Sequence, residues 1–142
     1  MFGKATSTKC DAIVVLVDTS IWVEVLRRGE GLDLETLVDF DEVVTCPPVV
    51  QELLQGIRDP GAHAAAREAL LSLPMVESPM SLATYLEAAE LFRSARRAGF
   101  TVRSSIDCLI AACAARHSLA VLHRDRDFEA LAKVAAIELR LG

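Results

Sequence analysis

Short apolar runs alternate along this chain with longer segments in which apolar residues recur every three or four positions. Residues 13–18 and 118–123 are the strongest runs, and their aliphatic side chains are typical of buried strands. Weaker strand patterns cover residues 41–46, 74–77 and 137–140. Helical spacing covers residues 21–28, 34–38, 47–56, 62–73, 81–98, 104–114 and 129–134. This alternation predicts a three-layer α/β/α sandwich around a central, mainly parallel sheet of four to five strands.

The first strong strand ends at an acidic residue, Asp18, which Thr19 and Ser20 follow. A carboxylate cannot stay inside an apolar run, so we expect Asp18 at the carboxyl end of the strand. Open α/β sheets bind their ligands at that edge. Aspartate, threonine and serine also accept hydrogen bonds at helix N-termini, so a helix cap alone accounts for these three residues equally well.

Four more acidic residues are predicted to lie near the same edge of the sheet. Asp125 and Asp127 follow the second strong strand, and Glu52 and Asp107 are expected in the first turns of two helices. Each has a simpler interpretation. An acid in a first turn complements the helix dipole, which suffices for Glu52. Ser104 and Asp107 have the spacing of a capping box, so Asp107 could serve the helix alone.

Several carboxylates in one pocket would repel each other and raise each other's pKa values. A hard divalent cation such as Mg²⁺ or Mn²⁺ removes that penalty, because these ions prefer oxygen ligands. Two such ions can hold the attacking water and the leaving oxygen of a phosphodiester. Thr19 or Ser20 could then support a water on the ion or a phosphate oxygen.

The charge of the chain excludes a general attraction to nucleic acid. The net charge is −5 and the pI is about 5.2, so RNA contact would need the ion or a local basic patch. Arginines supply most of the basic side chains and suit bidentate contacts with phosphate. The candidates are Arg93, Arg96, Arg97, Arg103, Arg124 and Arg126. Those near residue 96 could instead complement the C-terminal dipole of their helix.

Length and cysteine usage predict one cytoplasmic domain. The 142 residues are expected to form a single domain, 1–142, with residues 1–11 as a flexible arm. No apolar run suits a signal peptide or a membrane span, and we expect no membrane association. The four cysteines contain no CxxC pair and are expected to be free thiols. A zinc site from Cys108, Cys113, His117 and His123 is disfavoured, because residues five apart on a helix do not share a face.

Taken together, these motifs resemble the PIN-domain ribonucleases, and the length resembles the toxin half of VapBC toxin–antitoxin pairs. The matching segments are Val17-Asp18-Thr19-Ser20, Glu52, Ser105 with Asp107 and Ile110-Ala111-Ala112, and Asp125 with Asp127-Phe128. The resemblance implies a Mg²⁺- or Mn²⁺-dependent endoribonuclease that acts on RNA. Its acidic quartet would be Asp18, Glu52, Asp107 and Asp125, with Asp127 as a possible fifth ligand. It also implies a homodimer and a cognate antitoxin that binds the toxin in a hetero-oligomer.

Two departures and two rival functions accompany this resemblance. The arm 1–11 is longer than is usual for such toxins, and His123-Arg124 replaces a threonine expected before the last acidic pair. An aspartyl-phosphate phosphotransfer or hydrolase domain would need a second aspartate at position 20 or a late lysine at a strand end. Position 20 is serine, and Lys133 lies elsewhere. A non-catalytic PIN-like protein-interaction module remains the main alternative.

Overall fold

Four parallel strands form one sheet in the computed structural model, which describes residues 14–26, 31, 33–135 and 138–141. The strand order is β2-β1-β3-β4, and all three pairs of neighbours are parallel. The strands are β1 (Val15–Val17), β2 (Val43–Val44), β3 (Ala120–His123) and β4 (Glu138–Leu141). The predicted arm, residues 1–11, lies outside the described residues. The predicted α/β/α sandwich with a parallel sheet is confirmed.

Six α-helices in the described part of the chain flank this sheet. They are α1 (Thr19–Val25), α2 (Pro47–Gln55), α3 (Pro60–Leu71), α4 (Leu82–Arg97), α5 (Ser105–Arg116) and α6 (Arg126–Ala132). Local chemistry sets several of their starts. Prolines occupy the first positions of α2 and α3, where a missing N–H costs nothing. The Asp59 carboxylate accepts the Ala62 N–H at 2.8 Å and caps α3.

Three segments differ from the sequence prediction. The segment 74–77 contributes only a single parallel bridge, between Met75 and Thr45, rather than a strand. Pro74 has no N–H and contributes only its carbonyl, which accepts the Thr45 N–H at 3.0 Å, while the Val76 N–H donates to the Thr45 carbonyl at 3.0 Å. Residues 40–42 form a 3-10 turn instead of the start of a strand, because the Asp39 carboxylate caps them at the Asp41 N–H. The last helix begins at Arg126, three residues earlier than predicted, because Asp125 caps it.

The core is continuous from the sheet into α5. Residues 110–114 of this helix are completely buried, and four of the five are alanine or cysteine. These small side chains allow α5 to pack closely against α2, α4 and α6. Trp22 is 5% exposed and belongs to the core, as the sequence indicated. This packing fixes the N-terminal end of α5 relative to the strands β1 and β3.

Three cysteines, Cys46, Cys108 and Cys113, are free and buried, as predicted. Cys10 lies outside the described residues. The four residues of the disfavoured zinc site do not form a cluster in the described part of the chain, and His117 contacts Glu77. None of the described helices is long and apolar enough to cross a membrane.

One polar network joins the loop before α4 to the end of α5. The Glu77 side chain is only 7% exposed and accepts hydrogen bonds from the Ser81 N–H at 3.0 Å and the Thr84 hydroxyl at 2.8 Å. Its second oxygen lies 2.7 Å from His117 Nε2. These contacts hold the pKa of Glu77 at about 2, and the bond to His117 is the largest cause. The network fixes the loop by satisfying a shielded carboxylate.

Candidate active site

The acidic residues lie at the carboxyl ends of the two central strands, β1 and β3, from which the chain leads to opposite edges of the sheet. From β1 the chain continues to β2 on one side, whereas β3, on the other side of β1, leads to β4. Open α/β sheets leave a crevice at such a point, outside the carboxyl ends of the two central strands. Asp18 directly follows β1, and its N–H donates to the Leu122 carbonyl of β3 at 3.0 Å. Asp125 lies two residues after β3.

Asp18 both caps α1 and keeps one oxygen free of hydrogen bonds. Its Oδ2 accepts the N–H of Ser20 at 3.0 Å and also the Ser20 hydroxyl. Its Oδ1 is buried and has no hydrogen-bond partner among the described residues. Burial raises the pKa of Asp18 despite the two bonds from Ser20. The helix cap predicted from the sequence therefore exists, but it uses only half of the carboxylate.

Asp107 lies in the first turn of α5 and is 3% exposed. Its Oδ2 is buried without a hydrogen-bond partner in the described part of the chain. Burial, followed by the charges of Asp18 and Asp125, raises the pKa of Asp107 to about 9. The alternative role in a capping box is wrong, because the Ser104 side chain makes no capping bond. The Ser104 N–H, which a capping box would direct to Asp107, donates to Asp127 Oδ2 at 3.3 Å instead.

Glu52 reaches the cluster from α2, at a different place in the helix than predicted. Helix α2 starts at Pro47, so Glu52 is its sixth residue and lies beyond the first turn. The first-turn assignment is therefore wrong although the helix begins at Pro47 as predicted, because Glu52 lies five positions further on and one turn takes only about 3.6 residues. Glu52 is half-buried, and its charge contributes to the raised pKa values of Asp18 and Asp107. Its position in the second turn lets the side chain face Asp18 across the crevice.

Two groups of carboxylates have oxygens close enough to share a cation. In Asp18, Glu52 and Asp107, and likewise in Asp107, Asp125 and Asp127, one oxygen per residue lies within 4.8 Å of the others. The donor set consists of carboxylate oxygens, which Mg²⁺ and Mn²⁺ prefer. Asp18 and Asp107, which each have an unpartnered oxygen, are both members of the first group. Buried charges without donors are costly, and a divalent cation there would satisfy them. The residues present therefore fit such an ion.

The other residues beside the acidic cluster contact the backbone or lie buried next to it. Thr19 is buried, and its hydroxyl has no hydrogen-bond partner in the described part. Ser20 uses its hydroxyl to join the two central strands, because Oγ also accepts the Arg124 N–H at 2.9 Å. Asp125 caps α6 by accepting the Asp127 N–H at 3.0 Å. His123, in the place of the expected threonine, accepts the Asp125 N–H on Nδ1 at 3.2 Å.

Comparison with known proteins identifies the family of this arrangement. The family model of the PIN domain matches residues 15–134. The chain belongs to the PIN-domain family. It is 35% identical over 130 residues to the ribonuclease VapC11 of Mycobacterium tuberculosis and to the VapC ribonuclease Mb1587 of Mycobacterium bovis. The alignment covers 88% of this chain and 96% of each relative. The predicted resemblance is confirmed.

Solved structures of toxin–antitoxin proteins share the PIN fold of this chain. A chain from VapBC-5 of Mycobacterium tuberculosis, a member of the VapBC family of toxin–antitoxin systems, superimposes with a TM-score of 0.71. The two are 26% identical, and the match covers 92% of this chain and 100% of that one. DNA-bound VapBC from Salmonella typhimurium gives a TM-score of 0.70 at 18% identity, over 92% and 98% of the two chains.

Three of the six candidate arginines line one cleft of this PIN domain beside the acids. Arg103, Arg124 and Arg126 surround an open cleft of about 470 Å³ that is also lined by His123 and the acids Asp125 and Glu129. The sequence missed one residue at this mouth, Glu24 of α1, whose Oε1 lies 3.7 Å from Arg124 Nη1. No local pattern could indicate this pair, because it depends on the neighbouring positions of β1 and β3.

The other three candidate arginines lie on α4 and contact that helix. Arg93 and Arg97 form exposed ion pairs with Glu90, at 3.5 and 3.1 Å. The Arg96 guanidinium lies 5.5 Å from the centre of the Phe92 ring. These contacts also suit the simpler interpretation of solvated charges at a helix C-terminus.

An apolar groove of the PIN domain begins at the acidic cluster. It has a volume of about 430 Å³ and runs between α1, α2 and α3. Its walls are aliphatic, and Glu52 is its only charged lining residue among those described: Val23, Leu26, Glu52, Leu53, Gly56, Ile57, Ala62, Ala65 and Ala66. A peptide with apolar side chains and one terminal cation would match this combination of surfaces.

Proposed function

We propose that this chain is a Mg²⁺- or Mn²⁺-dependent endoribonuclease, the toxin of a type II toxin–antitoxin system. The observation that carries the proposal is the pair of buried, unpartnered oxygens on Asp18 and Asp107 within one group of carboxylates. A fold that only binds partners has no need of such costly groups. The VapC ribonucleases that the chain resembles support the choice of RNA as substrate.

The proposed site assigns roles by position. Asp18, Glu52 and Asp107 would hold the ion, with Asp125 completing the acidic quartet at the mouth of the cleft. A divalent ion held there would supply positive charge beside the scissile phosphate and would lower the pKa of a water that could attack it. Ser20 keeps Asp18 oriented through its two hydrogen bonds, and buried Thr19 lies next to it on α1. Without an ion, the negative charges of the four carboxylates would repel the phosphates of the RNA backbone.

Arginines at the cleft would bind the RNA backbone. Arg103, Arg124 and Arg126 place three positive charges around Asp125, although the chain as a whole is acidic. Arginine forms bidentate contacts with phosphate, and contacts with phosphate carry no base information by themselves. Arg93, Arg96 and Arg97 on α4 would form a second, more peripheral contact with the backbone.

The direct experiment is cleavage of a structured RNA by the purified chain, freed of any bound inhibitor. Cleavage should require Mg²⁺ or Mn²⁺ and should stop when EDTA is in excess. Cleavage that continues undiminished in EDTA would refute the proposal. A chain with no Mn²⁺ binding and no cleavage would instead favour the protein-interaction module.

We propose that a cognate antitoxin neutralises this nuclease by filling the groove and the acidic pocket. An antitoxin arginine would pair with the carboxylates, and apolar side chains of the same segment would cover the groove between α1 and α3. VapBC complexes among the structural relatives support this partner. An antitoxin that lacks its C-terminal segment yet still silences the nuclease fully would exclude occlusion of the pocket.

The proposal includes a homodimer of single-domain chains, residues 1–142, working in the cytoplasm. The likeness to VapBC toxins supports the homodimer. In the hetero-oligomer, the antitoxin would bind to this homodimer. Sedimentation of the isolated chain and of the complex measures both states.

A further inference from the structure

The second group of acids differs from the first because protein donors surround one of its carboxylates. Asp127 is 2% exposed, and its Oδ2 accepts the backbone N–H groups of Arg103 at 3.0 Å and Ser104 at 3.3 Å. Its Oδ1 lies 3.4 Å from the Arg103 guanidinium. Neither oxygen is left buried without a partner, in contrast to the oxygens of Asp18 and Asp107.

These contacts connect the two helices that carry acids of the site. Arg103 and Ser104 immediately precede α5, whose first turn contains Asp107. Asp127 lies in the first turn of α6, and its own N–H donates to Asp125 at 3.0 Å. The Asp127 carboxylate therefore binds the start of α5, the helix that carries Asp107. The backbone N–H of Asp127 binds the Asp125 side chain.

Arg103 adds a positive charge between the two carboxylates of this group. Its Nε lies 3.4 Å from Asp127 and its Nη2 lies 3.4 Å from Asp125. The guanidinium side chain is 55% exposed, so it reaches both carboxylates from the solvent side of the cleft. Its positive charge compensates the negative charges of Asp125 and Asp127 at the position where a second metal ion would otherwise bind.

We propose that Arg103 and Asp127 are a positioning pair that sets the spacing of Asp107 and Asp125, and that Asp127 is not a metal ligand. This inference rests on the proposed function, because it divides roles within the proposed metal centre. The ion then belongs to Asp18, Glu52 and Asp107, and Arg103 takes the place of a second ion beside Asp125 and Asp127.

The first test measures the urea midpoint of the full-length chain in EDTA. Substitution of a metal ligand and substitution of a positioning residue should change this midpoint in opposite directions. Asp127→Asn should lower the urea midpoint, because it breaks the ion pair with Arg103. Asp107→Asn should leave the midpoint unchanged or raise it, because it removes an acid that is costly to bury and has an oxygen without a donor. Asp59→Asn is the control, since this exposed carboxylate also accepts a backbone N–H and asparagine caps helices equally well. An unchanged or raised midpoint for Asp127→Asn would overturn the positioning role.

The second test is Mn²⁺ binding measured by calorimetry, which does not depend on cleavage. Removal of a positive surface charge beside a cation site should tighten Mn²⁺ binding, and we expect this for the control Arg126→Gln in the same cleft. Arg103→Gln should instead weaken Mn²⁺ binding by about tenfold, the loss typical of residues that orient metal ligands. Arg103→Lys should weaken binding too, because it keeps the charge but not the planar fork. Tighter binding in Arg103→Gln would contradict the proposal.

Stoichiometry and coupling complete the test. The wild-type chain should bind one Mn²⁺, and the Arg103→Gln, Asp127→Asn double variant should lose less stability in EDTA than the sum of the single losses. Two ions per wild-type chain, falling to one in Asp127→Asn, would make Asp127 a ligand and overturn the inference. Failure of the proposed function is distinguishable, because a chain without Mn²⁺ binding would still show the opposite stability effects of Asp127→Asn and Asp107→Asn in EDTA.

Discussion

Two shielded carboxylates in this protein have opposite properties. Glu77 and Asp107 are both nearly inaccessible to solvent, yet the pKa of Glu77 is held at about 2 and that of Asp107 is raised to about 9. Ser81, Thr84 and His117 all contact the Glu77 carboxylate. Asp107 keeps a buried oxygen without a donor and faces the charges of Asp18 and Asp125.

The difference teaches that shielding from solvent raises the pKa of a carboxylate in this fold only where hydrogen-bond donors do not outweigh it: burial is the largest cause for Asp107, whereas the bond to His117 prevails for Glu77. The chain can supply donors to a shielded acid, as it does for Glu77, and it supplies none to one oxygen of Asp107. A structural acid gains stability from its partners, whereas an unpartnered one reduces stability. Such a group is retained when function needs it, which is the reason to assign Asp107 to the site.

The largest expected effect comes from Asp107→Asn. This change keeps the size of the side chain but removes the charge that an ion needs, so RNA cleavage should fall by orders of magnitude. Stability should fall by less than about 1 kcal/mol or rise, because no hydrogen bond of a capping box is lost. Steady-state cleavage and urea unfolding measure the two quantities. Near-normal turnover would remove Asp107 from the catalytic machinery.

The reverse pattern is expected at Glu77. Glu77→Ala leaves the Thr84 hydroxyl and the Ser81 N–H without their acceptor and should cost about 1–3 kcal/mol of unfolding free energy. Cleavage by the folded protein should stay close to normal, because Glu77 does not belong to the acidic cluster. Glu90→Ala is the control, since its pairs with Arg93 and Arg97 are exposed and should cost under about 1 kcal/mol. A loss no larger than that of the control would mean that the Glu77 network contributes little.

Acid titration of stability should separate wild type from Glu77→Gln. The folded pKa of Glu77, about 2, lies below its ordinary value of 4.5. Its contribution is therefore fully present above pH 4.5 and is lost as the pH falls towards 2. Glutamine has no charge to lose, so the difference in urea midpoint between the two proteins should shrink over this interval. A constant difference from pH 5 to pH 2.5 would show that the charge of Glu77 is unimportant.

The smallest effect is expected for Ser20→Ala. The change removes the hydroxyl that Asp18 accepts and that joins Asp18 to the Arg124 N–H, while the Ser20 N–H remains. We expect a stability loss of about 1 kcal/mol and a decrease in cleavage far smaller than that of Asp107→Asn. Loss of cleavage as severe as in Asp107→Asn would give Ser20 a direct catalytic role.

The sequence predicts the parts of the site that follow strands. Asp18 and Asp125 come directly or shortly after apolar runs, and parallel strands end at one edge of a sheet, so their convergence is predictable. Asp107 and Glu52 needed the order of family motifs as well. The turn assigned to Glu52 was wrong although the start of α2 at Pro47 was predicted, because Glu52 lies five positions after Pro47 and one turn takes only about 3.6 residues.

Contacts between distant loops were beyond sequence reasoning. Arg103 and Asp127 are 24 residues apart, and Glu77 and His117 are 40 residues apart. Neither pair has a periodic spacing, because each depends on how α5 packs against its neighbours. The resemblance implied Asp127 as a possible fifth ligand, and Arg103 was a candidate for the RNA backbone, but only the structure reveals the contact between the two side chains.

The most direct test of the central claim is the effect of Mn²⁺ on the melting temperature of wild type and Asp107→Asn. An ion that binds only the folded chain stabilises it by mass action, and 100 times its Kd adds about 2.7 kcal/mol. We predict that Mn²⁺ raises the melting temperature of wild type above its value in EDTA and has little effect on Asp107→Asn. An equal rise in both proteins, or no rise in wild type, would contradict a metal centre built on Asp107.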